Sequence, residues 1–196
     1  MENIIFDIGN VLCPFDYGRA YRRLNGNRPP DDNNIEKAVA ERMKLEQGQI
    51  TSDFFLAQLA DFFDFRGSRE EVTAIFEDVF EPNEPMLAFV GEIAGKGLPV
   101  YLLSNISDLH KKYVHRKYEG FKHFRNGIYS YEEGMMKPDP DIFRRAVAKF
   151  GITAANTLYI DDMAENIEAA AGVGFQTLHY DYLRHSEAEN KIRQML

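Results

Sequence analysis

The chain has 196 residues, of which 44% are hydrophobic and 28% are charged. This length favours one domain with an insertion, and the composition excludes disordered, fibrous and repeat proteins. Lys and Arg number 23 against 31 Asp and Glu, so the net charge of -8 argues against a nucleic-acid or anionic-membrane binder. The single cysteine, Cys13, excludes a disulfide framework. No signal peptide or membrane anchor is predicted, so we expect a cytoplasmic protein.

The first predicted element is a buried strand, Ile4-Ile5-Phe6, which ends on the carboxylate of Asp7. Helical periodicity then dominates the chain as far as Pro82, and Ser68 and Glu71 have the spacing of a capping box at a helix start. We therefore predict a helical insertion, the cap, at 17–82, and an α/β core formed by 1–16 and 83–196.

The rest of the chain alternates helices and strands. A helix ends near Gly95, and a strand over 98–103 follows and ends on Ser104-Asn105. Asp139-Pro140 predicts a helix start. The predicted elements of this half are helices at 108–118 and 140–150, a helix through Phe89 and Ile93 that ends at Gly95, a helix that carries Ile167, Ala170 and Ala171, strands at 98–103, 128–130, 157–160 and 175–178, and a final polar helix.

This alternation predicts a Rossmann-like, mainly parallel sheet flanked by helices. Polar residues follow three of the buried strands: Asp7, the pair Ser104-Asn105, and the pair Asp161-Asp162. In open α/β sheets, ligands bind outside the carboxyl ends of the strands. We therefore expect these side chains to form one acidic pocket.

Carboxylates gathered at one sheet edge repel each other unless a cation lies between them. Mg²⁺ is the expected cation, because it prefers oxygen ligands and is commonly held by one or two carboxylates together with a substrate phosphate. Lys137 adds a positive charge, and Ser104 and Asn105 can donate hydrogen bonds to phosphoryl oxygens. An anionic nucleophile, a cation site and several donors are the groups needed for phosphoryl transfer through an aspartyl-phosphate.

Four motifs in this order resemble those of the haloacid dehalogenase-like hydrolase superfamily. They are Phe6-Asp7-Ile8-Gly9-Asn10-Val11, Leu103-Ser104-Asn105, Met136-Lys137-Pro138, and Ile160-Asp161-Asp162 with Asn166 to Ala170. The resemblance covers the whole chain, because one branch of that superfamily inserts its cap where the 17–82 stretch stands. It is strongest to small sugar-phosphate phosphatases with a helical cap.

The resemblance implies a role for each matching residue. Asp7 is implied to be the nucleophile and a metal ligand, and Lys137 to orient and neutralise the aspartyl-phosphate. Ser104 and Asn105 are implied to hold the phosphoryl group. Asp162 and the carbonyl of Gly9 are implied to bind Mg²⁺, with Asp161 either bound to the metal directly or held just outside its ligands.

Gly9 departs from the superfamily pattern, because most of its phosphatases carry a second Asp there as the general acid/base. The sequence therefore leaves two functions open. One is a Mg²⁺-dependent phosphatase of a small phosphorylated metabolite, such as a sugar phosphate or a sugar 1-phosphate. The other is a non-catalytic phosphate-binding or regulatory relative that has lost the general acid/base.

Three further expectations concern Asp16, the histidines, and the partners and oligomeric state of the chain. Asp16 is a candidate to activate the hydrolytic water. The five histidines have no zinc-binding spacing and are expected at the surface, including His110 on a solvated helix face. No nucleic-acid or membrane partner is expected, and the chain is expected to be a monomer or a weak homodimer.

Overall fold

The computed structural model describes residues 1–29 and 31–196. Within them the chain forms five strands and ten α-helices. The strands are β1 (Asn3–Phe6), β2 (Val100–Ser104), β3 (Asn126–Tyr129), β4 (Thr157–Asp161) and β5 (Gln176–His179). The helices are α1 (Tyr17–Leu24), α2 (Asp32–Glu46), α3 (Ser52–Phe62), α4 (Arg69–Glu77), α5 (Glu84–Gly95), α6 (Asp108–Lys117), α7 (Ser130–Glu133), α8 (Pro140–Phe150), α9 (Ala164–Val173) and α10 (His185–Met195).

The five strands form one parallel sheet in the order β3-β2-β1-β4-β5. Successive residues of β1 point to opposite faces: Ile4 and Phe6 belong to one apolar cluster, and Ile5 to the cluster on the other face. Helices cover both faces, so β1 and its neighbours are wholly buried. The prediction of a Rossmann-like parallel sheet flanked by helices is confirmed.

Helices α1 to α4 lie between the first two strands and share an apolar cluster of their own, which includes Tyr21, Phe55 and Phe76. The predicted capping box at the start of α4 is present: the Ser68 hydroxyl accepts from the N–H of Glu71, and the Glu71 carboxylate accepts from the N–H of Ser68. The helical part ends at Glu77, short of the predicted Pro82. Beyond it residues 78 and 79 form a turn, and Phe80 pairs with Phe15 in an antiparallel bridge.

His110 is a correction to the sequence analysis. It is fully buried, whereas its lysine-rich and arginine-rich neighbours on α6 favoured a surface position. Its ring packs against Tyr17, Phe76 and Phe80, and its Nε2 lies 2.9 Å from the carbonyl oxygen of Phe76. His110 therefore joins the α/β core to the inserted helices.

The hydropathy of the helices bears on membrane association. Among the described residues, no helix is both long enough and apolar enough to cross a bilayer.

Candidate active site

The strand ends bring the predicted acidic residues together. Asp7 follows β1, Asp161 is the last residue of β4, and Asp162 follows it. Each of these three residues offers one carboxylate oxygen, and the three oxygens lie within 4.8 Å of one another. Asp7 and Asp162 line a cavity of about 400 Å³ that is also lined by Ser104, the last residue of β2.

Lys137 supplies the positive charge of this site. It lies in the loop between α7 and α8, and its side chain is 1% exposed. Its Nζ donates a hydrogen bond to Asp161 Oδ2 at 2.6 Å and lies 2.9 Å from Asp7 Oδ1, an ion contact without hydrogen-bond geometry. Lys137 therefore stands between the two buried carboxylates.

Asn105 fixes the backbone that carries Lys137. Its Nδ2 donates to the Lys137 carbonyl oxygen at 2.9 Å, and its Oδ1 accepts from the Lys137 N–H at 2.9 Å. These two bonds engage both ends of the carboxamide. The contacts thus make Asn105 a positioning residue for Lys137, and its predicted contact with a phosphoryl group stays a prediction.

Asp161 is surrounded by donors and is fully buried. Its Oδ1 accepts from the N–H of Met163 at 2.8 Å and from Nδ2 of Asn166 at 2.9 Å. Its Oδ2 accepts from Lys137 and from the hydroxyl of Tyr159. Both oxygens are satisfied by the protein, which favours a role in holding Lys137 over direct binding of a metal.

The electrostatics of the site follow from its burial. Burial raises the pKa of Asp7 to about 7, because the positive charge of Lys137 opposes it only in part and Asp161 adds to it. Burial disfavours the charged form of Lys137, but Asp7 and Asp161 outweigh this effect and raise its pKa. Burial also raises the pKa of Asp162, whose Oδ2 accepts a hydrogen bond from Asn10 Nδ2 at 2.9 Å.

The donor set fits a divalent cation. One lysine faces three clustered carboxylates, so the site carries excess negative charge that a cation would balance. Asp7 and Asp162 are the carboxylates that line the cavity, and Gly9, whose carbonyl is the third predicted ligand, lines it as well. These are hard oxygen donors of the kind that Mg²⁺ prefers.

Asp16 does not take the place that the sequence analysis suggested. It is absent from the described lining of this cavity, and its side chain is 56% exposed. It pairs with Arg22 at 3.2 Å on the outer surface. Asp16 is therefore not placed to activate water near Asp7.

The cavity residues that the sequence analysis missed include three on the inserted helices: Tyr17, Arg42 and Glu46. Tyr17 begins α1, and the other two lie on α2. The signal was present, because Arg42 and Glu46 continue the stripe of three- and four-residue spacings set by Ile35 and Ala38. Charged residues on the buried stripe of a helix are candidates for a site.

The comparisons with known proteins agree with this fold and identify the family. A model of the haloacid dehalogenase-like hydrolases matches residues 1–174. The chain belongs to that family, which confirms the resemblance drawn from the four motifs and the prediction of a hydrolase.

Relatives with known activities include two phosphatases. The chain is 32% identical over 143 residues to a sesquiterpene phosphatase of Aspergillus oryzae, covering 69% of this chain and 70% of the relative. It is 29% identical over 188 residues to a D-ribitol-5-phosphate phosphatase of Bacteroides thetaiotaomicron, covering 90% of each.

A solved structure is similar over almost the whole fold. It is a haloacid dehalogenase family enzyme from Bacteroides thetaiotaomicron in complex with magnesium and inorganic phosphate, with 25% identity and a TM-score of 0.79. The match covers 93% of this chain and 95% of that one.

Proposed function

We propose that this chain is a Mg²⁺-dependent phosphatase that hydrolyses a small phosphorylated metabolite, such as a sugar phosphate, through an aspartyl-phosphate. One observation carries the proposal: the buried Asp7 carboxylate lines the cavity with Lys137 Nζ at 2.9 Å and with carboxylate oxygens of Asp161 and Asp162 close by. The similarity to two phosphatases and to a magnesium and phosphate complex supports it.

The reaction begins at Asp7. One of its carboxylate oxygens forms a bond to phosphorus while the bond from phosphorus to the leaving oxygen breaks, and the leaving oxygen takes a proton from solvent. Lys137 neutralises the negative charge that gathers near the carboxylate, and the Ser104 hydroxyl donates to the phosphoryl group. The products of this step are an aspartyl-phosphate and a free alcohol.

Water completes the cycle. It attacks the phosphorus of the aspartyl-phosphate, the bond between phosphorus and the Asp7 oxygen breaks, and inorganic phosphate leaves with the carboxylate regenerated. The proton lost by this water balances the one taken by the leaving group. Asp7, Asp162 and the carbonyl of Gly9 are the residues that hold Mg²⁺, which supplies positive charge to the phosphoryl oxygens.

The inserted helices form the lid of this site. Tyr17, Arg42 and Glu46 line the same cavity as Asp7, so the helices cover the reacting group and restrict the access of bulk solvent to it. A cap at 17–82 over a core of 1–16 and 83–196 accounts for this arrangement. A cytoplasmic location and a monomer or weak homodimer complete the proposal.

A test separates this enzyme from a non-catalytic phosphate-binding relative. We expect phosphate release from an aryl phosphate such as p-nitrophenyl phosphate in the presence of Mg²⁺, and none with chelator. Binding of inorganic phosphate without any turnover would favour the non-catalytic alternative. A screen of phosphorylated sugars and sugar alcohols then identifies the substrate.

A further inference from the structure

The wall of the cavity formed by α1 and α2 carries charged and aromatic side chains that the reaction itself does not use. We propose that Tyr17, Arg42 and Glu46 bind the leaving group, and that this group is a neutral, polyhydroxylated carbon chain such as a sugar or sugar alcohol. This inference rests on the proposed phosphatase function and names its substrate class. The three residues are called the leaving-group wall below.

The leaving-group wall is held together by contacts among its own members. Arg42 Nη1 donates to Glu46 Oε1 at 2.8 Å, and the Tyr17 hydroxyl donates to the same oxygen at 3.2 Å. The Arg42 guanidinium lies 4.0 Å from the centre of the Tyr17 ring. Tyr17 also lies 3.3 Å from His110 Nδ1, which ties this wall to the α/β core.

These contacts leave hydrogen-bonding capacity unused. Both contacts to Glu46 fall on Oε1, which leaves Oε2 as an acceptor. Among the described hydrogen bonds, the Arg42 guanidinium donates to Glu46 through Nη1 only, which leaves Nη2 as a donor. Since both residues line the cavity, their unused donor and acceptor can pair with a ligand held there. A hydroxyl group both donates and accepts, and it therefore complements this pair.

The charge of the wall selects against a second anionic group. An unpaired arginine would attract another phosphate or a carboxylate. Here the Glu46 side chain, 7% exposed, neutralises Arg42 at close range. A second phosphate placed on this wall would meet a carboxylate as well as a guanidinium, so a neutral body on the substrate is favoured over a charged one.

Two further aromatic rings lie beside the leaving-group wall. Phe15 and Phe80 line the cavity beside Tyr17, and the centres of the Phe15 and Tyr17 rings lie 5.4 Å apart. Such rings pack against the C–H groups of a carbohydrate while its hydroxyls reach the polar pair. The volume of about 400 Å³ suits a small metabolite better than a large one.

The experiment compares substrates that share the same departing oxygen. The first pair is a pentitol 5-phosphate against n-pentyl phosphate, which differ only in the hydroxyls of the chain. The second is a hexose 1-phosphate against the hexose 1,6-bisphosphate, which differ in a second anionic group. We expect kcat/KM of the wild type to favour the first member of each pair by about tenfold or more.

Three variants locate the effect: Arg42→Gln, Glu46→Gln, and the control Lys44→Gln, whose exposed side chain pairs with Glu41 on the same helix. Glu46→Gln should lower the preference for the monophosphate over the bisphosphate about tenfold. The Arg42 guanidinium then has no neighbouring carboxylate to neutralise it and can attract the second phosphate. Arg42→Gln should lower the preference for the pentitol, mainly through KM. The control should keep both preferences. Circular dichroism and a thermal melt check that each variant is folded.

The outcomes are distinct. Absence of all turnover by the wild type, aryl phosphate included, overturns the proposed function and this inference with it. If the wild type hydrolyses the aryl phosphate but has equal kcat/KM for the two substrates of each pair, only the leaving-group assignment is overturned. This result needs the wild type alone, so it holds even if no variant folds. Equal losses on every substrate in folded Arg42 and Glu46 variants would assign these residues a structural role only.

Discussion

The ring of Phe15 lies against Gly9: a Cβ atom added to Gly9 would come 2.9 Å from Cε1 of Phe15. Phe15 therefore occupies the side of the cavity into which a side chain at residue 9 would project. Comparison with the family pattern implies that a general acid is missing at residue 9, and the Phe15 ring lies in part of the space that its side chain would need.

Because no side chain at residue 9 can protonate the leaving oxygen, the rate should depend on how readily that oxygen departs. General acid help is typically worth 10²–10⁴-fold. We expect kcat/KM to rise as the pKa of the leaving alcohol falls, with a hexose 1-phosphate hydrolysed faster than the 6-phosphate. A series of phosphate monoesters with graded leaving groups measures this. A flat series would mean that another acid acts in the cavity.

A carboxyl group restored at residue 9 should reduce that dependence. Gly9→Asp requires the Phe15 ring to shift, and Phe15 is 40% exposed, so the ring has room to move. We expect Gly9→Asp combined with Phe15→Leu to hydrolyse primary alkyl phosphates better than the wild type. Gly9→Ala with Phe15→Leu is the matched control, since it fills the same space without an acid. If both double variants gain equally in the hydrolysis of primary alkyl phosphates, the gain comes from the altered space and not from the carboxyl group.

Loss of the nucleophile should abolish turnover. Asp7→Asn keeps the size of the side chain but removes the anionic oxygen that forms the bond to phosphorus, so we expect kcat to fall by about 10³-fold or more. Asp16→Asn is the control, because Asp16 lies on the outer surface. Chelation of Mg²⁺ should stop the wild type and the control alike. An Asp7→Asn variant near the wild-type rate would remove Asp7 from the mechanism.

Removal of the Lys137 charge should destabilise the metal-free protein. Lys137→Met leaves Asp7 and Asp161 buried and close together without a cation, and loss of one partner from a buried ion pair costs about 3–5 kcal/mol. Urea unfolding in EDTA measures this, with Lys44→Met as the exposed control. Added Mg²⁺ should restore part of the loss by binding the folded state. Unchanged stability in EDTA would contradict the arrangement of charges described here.

His110 should make stability depend on pH between about 6.5 and 4. Burial lowers the pKa of His110 to about 4, with Arg42 adding to the effect and the Phe76 carbonyl and Asp108 opposing it. The unfolded chain therefore binds a proton at a higher pH than the folded chain does. The contribution of His110 to the free energy of unfolding is fully present above the pKa of histidine in the unfolded chain. It decreases by on the order of 3 kcal/mol as the pH falls through the pKa of His110 in the folded chain.

The difference between wild type and His110→Gln isolates this contribution. Glutamine can donate to the carbonyl of Phe76 but does not titrate, so we expect the variant to be less stable at pH 7 and to lose less stability down to pH 4.5. Urea unfolding at both pH values gives the comparison. Equal losses in the two proteins would mean that the protonation of His110 is not linked to unfolding.

The inserted helices should restrict the substrates by size. Tyr17, Arg42 and Glu46 line the same cavity as Asp7, so we expect the inserted helices to hinder a phosphorylated side chain on a folded protein from reaching Asp7. We expect phosphate release from small sugar phosphates and none from a folded phosphoprotein at equal phosphate concentration. A preference for the phosphoprotein would contradict a lid.

The sequence revealed the acidic centre because its position is set by topology. Asp7 and Asp161 follow apolar runs, and parallel strands bring their carboxyl ends to one edge regardless of how far apart they are in sequence. Lys137 lies in a loop without any periodicity, and its specific role came from the family motif. Contacts that depend on side-chain direction could not be predicted, such as the bonds by which Asn105 holds the backbone of Lys137.

The leaving-group wall and His110 escaped prediction for a related reason. Arg42 and Glu46 have the spacing of an ordinary surface ion pair, and the residues around His110 are mostly basic. Their burial depends on how the inserted helices dock on the core, which is a long-range property. Local sequence patterns indicate which residues share a helix face, but not which part of the protein that face packs against.

The inserted helices leave the core and return to it at a single point. The N–H of Asp16 donates to the carbonyl oxygen of Val79 at 3.0 Å, so the two ends of the segment are already in contact. A helical segment of different length or sequence could be exchanged between these two residues without moving β1 or α5. The exchange would replace Tyr17, Arg42 and Glu46 and leave Asp7 in place. Substrate choice can therefore diverge within this architecture while the chemistry at the sheet edge stays the same.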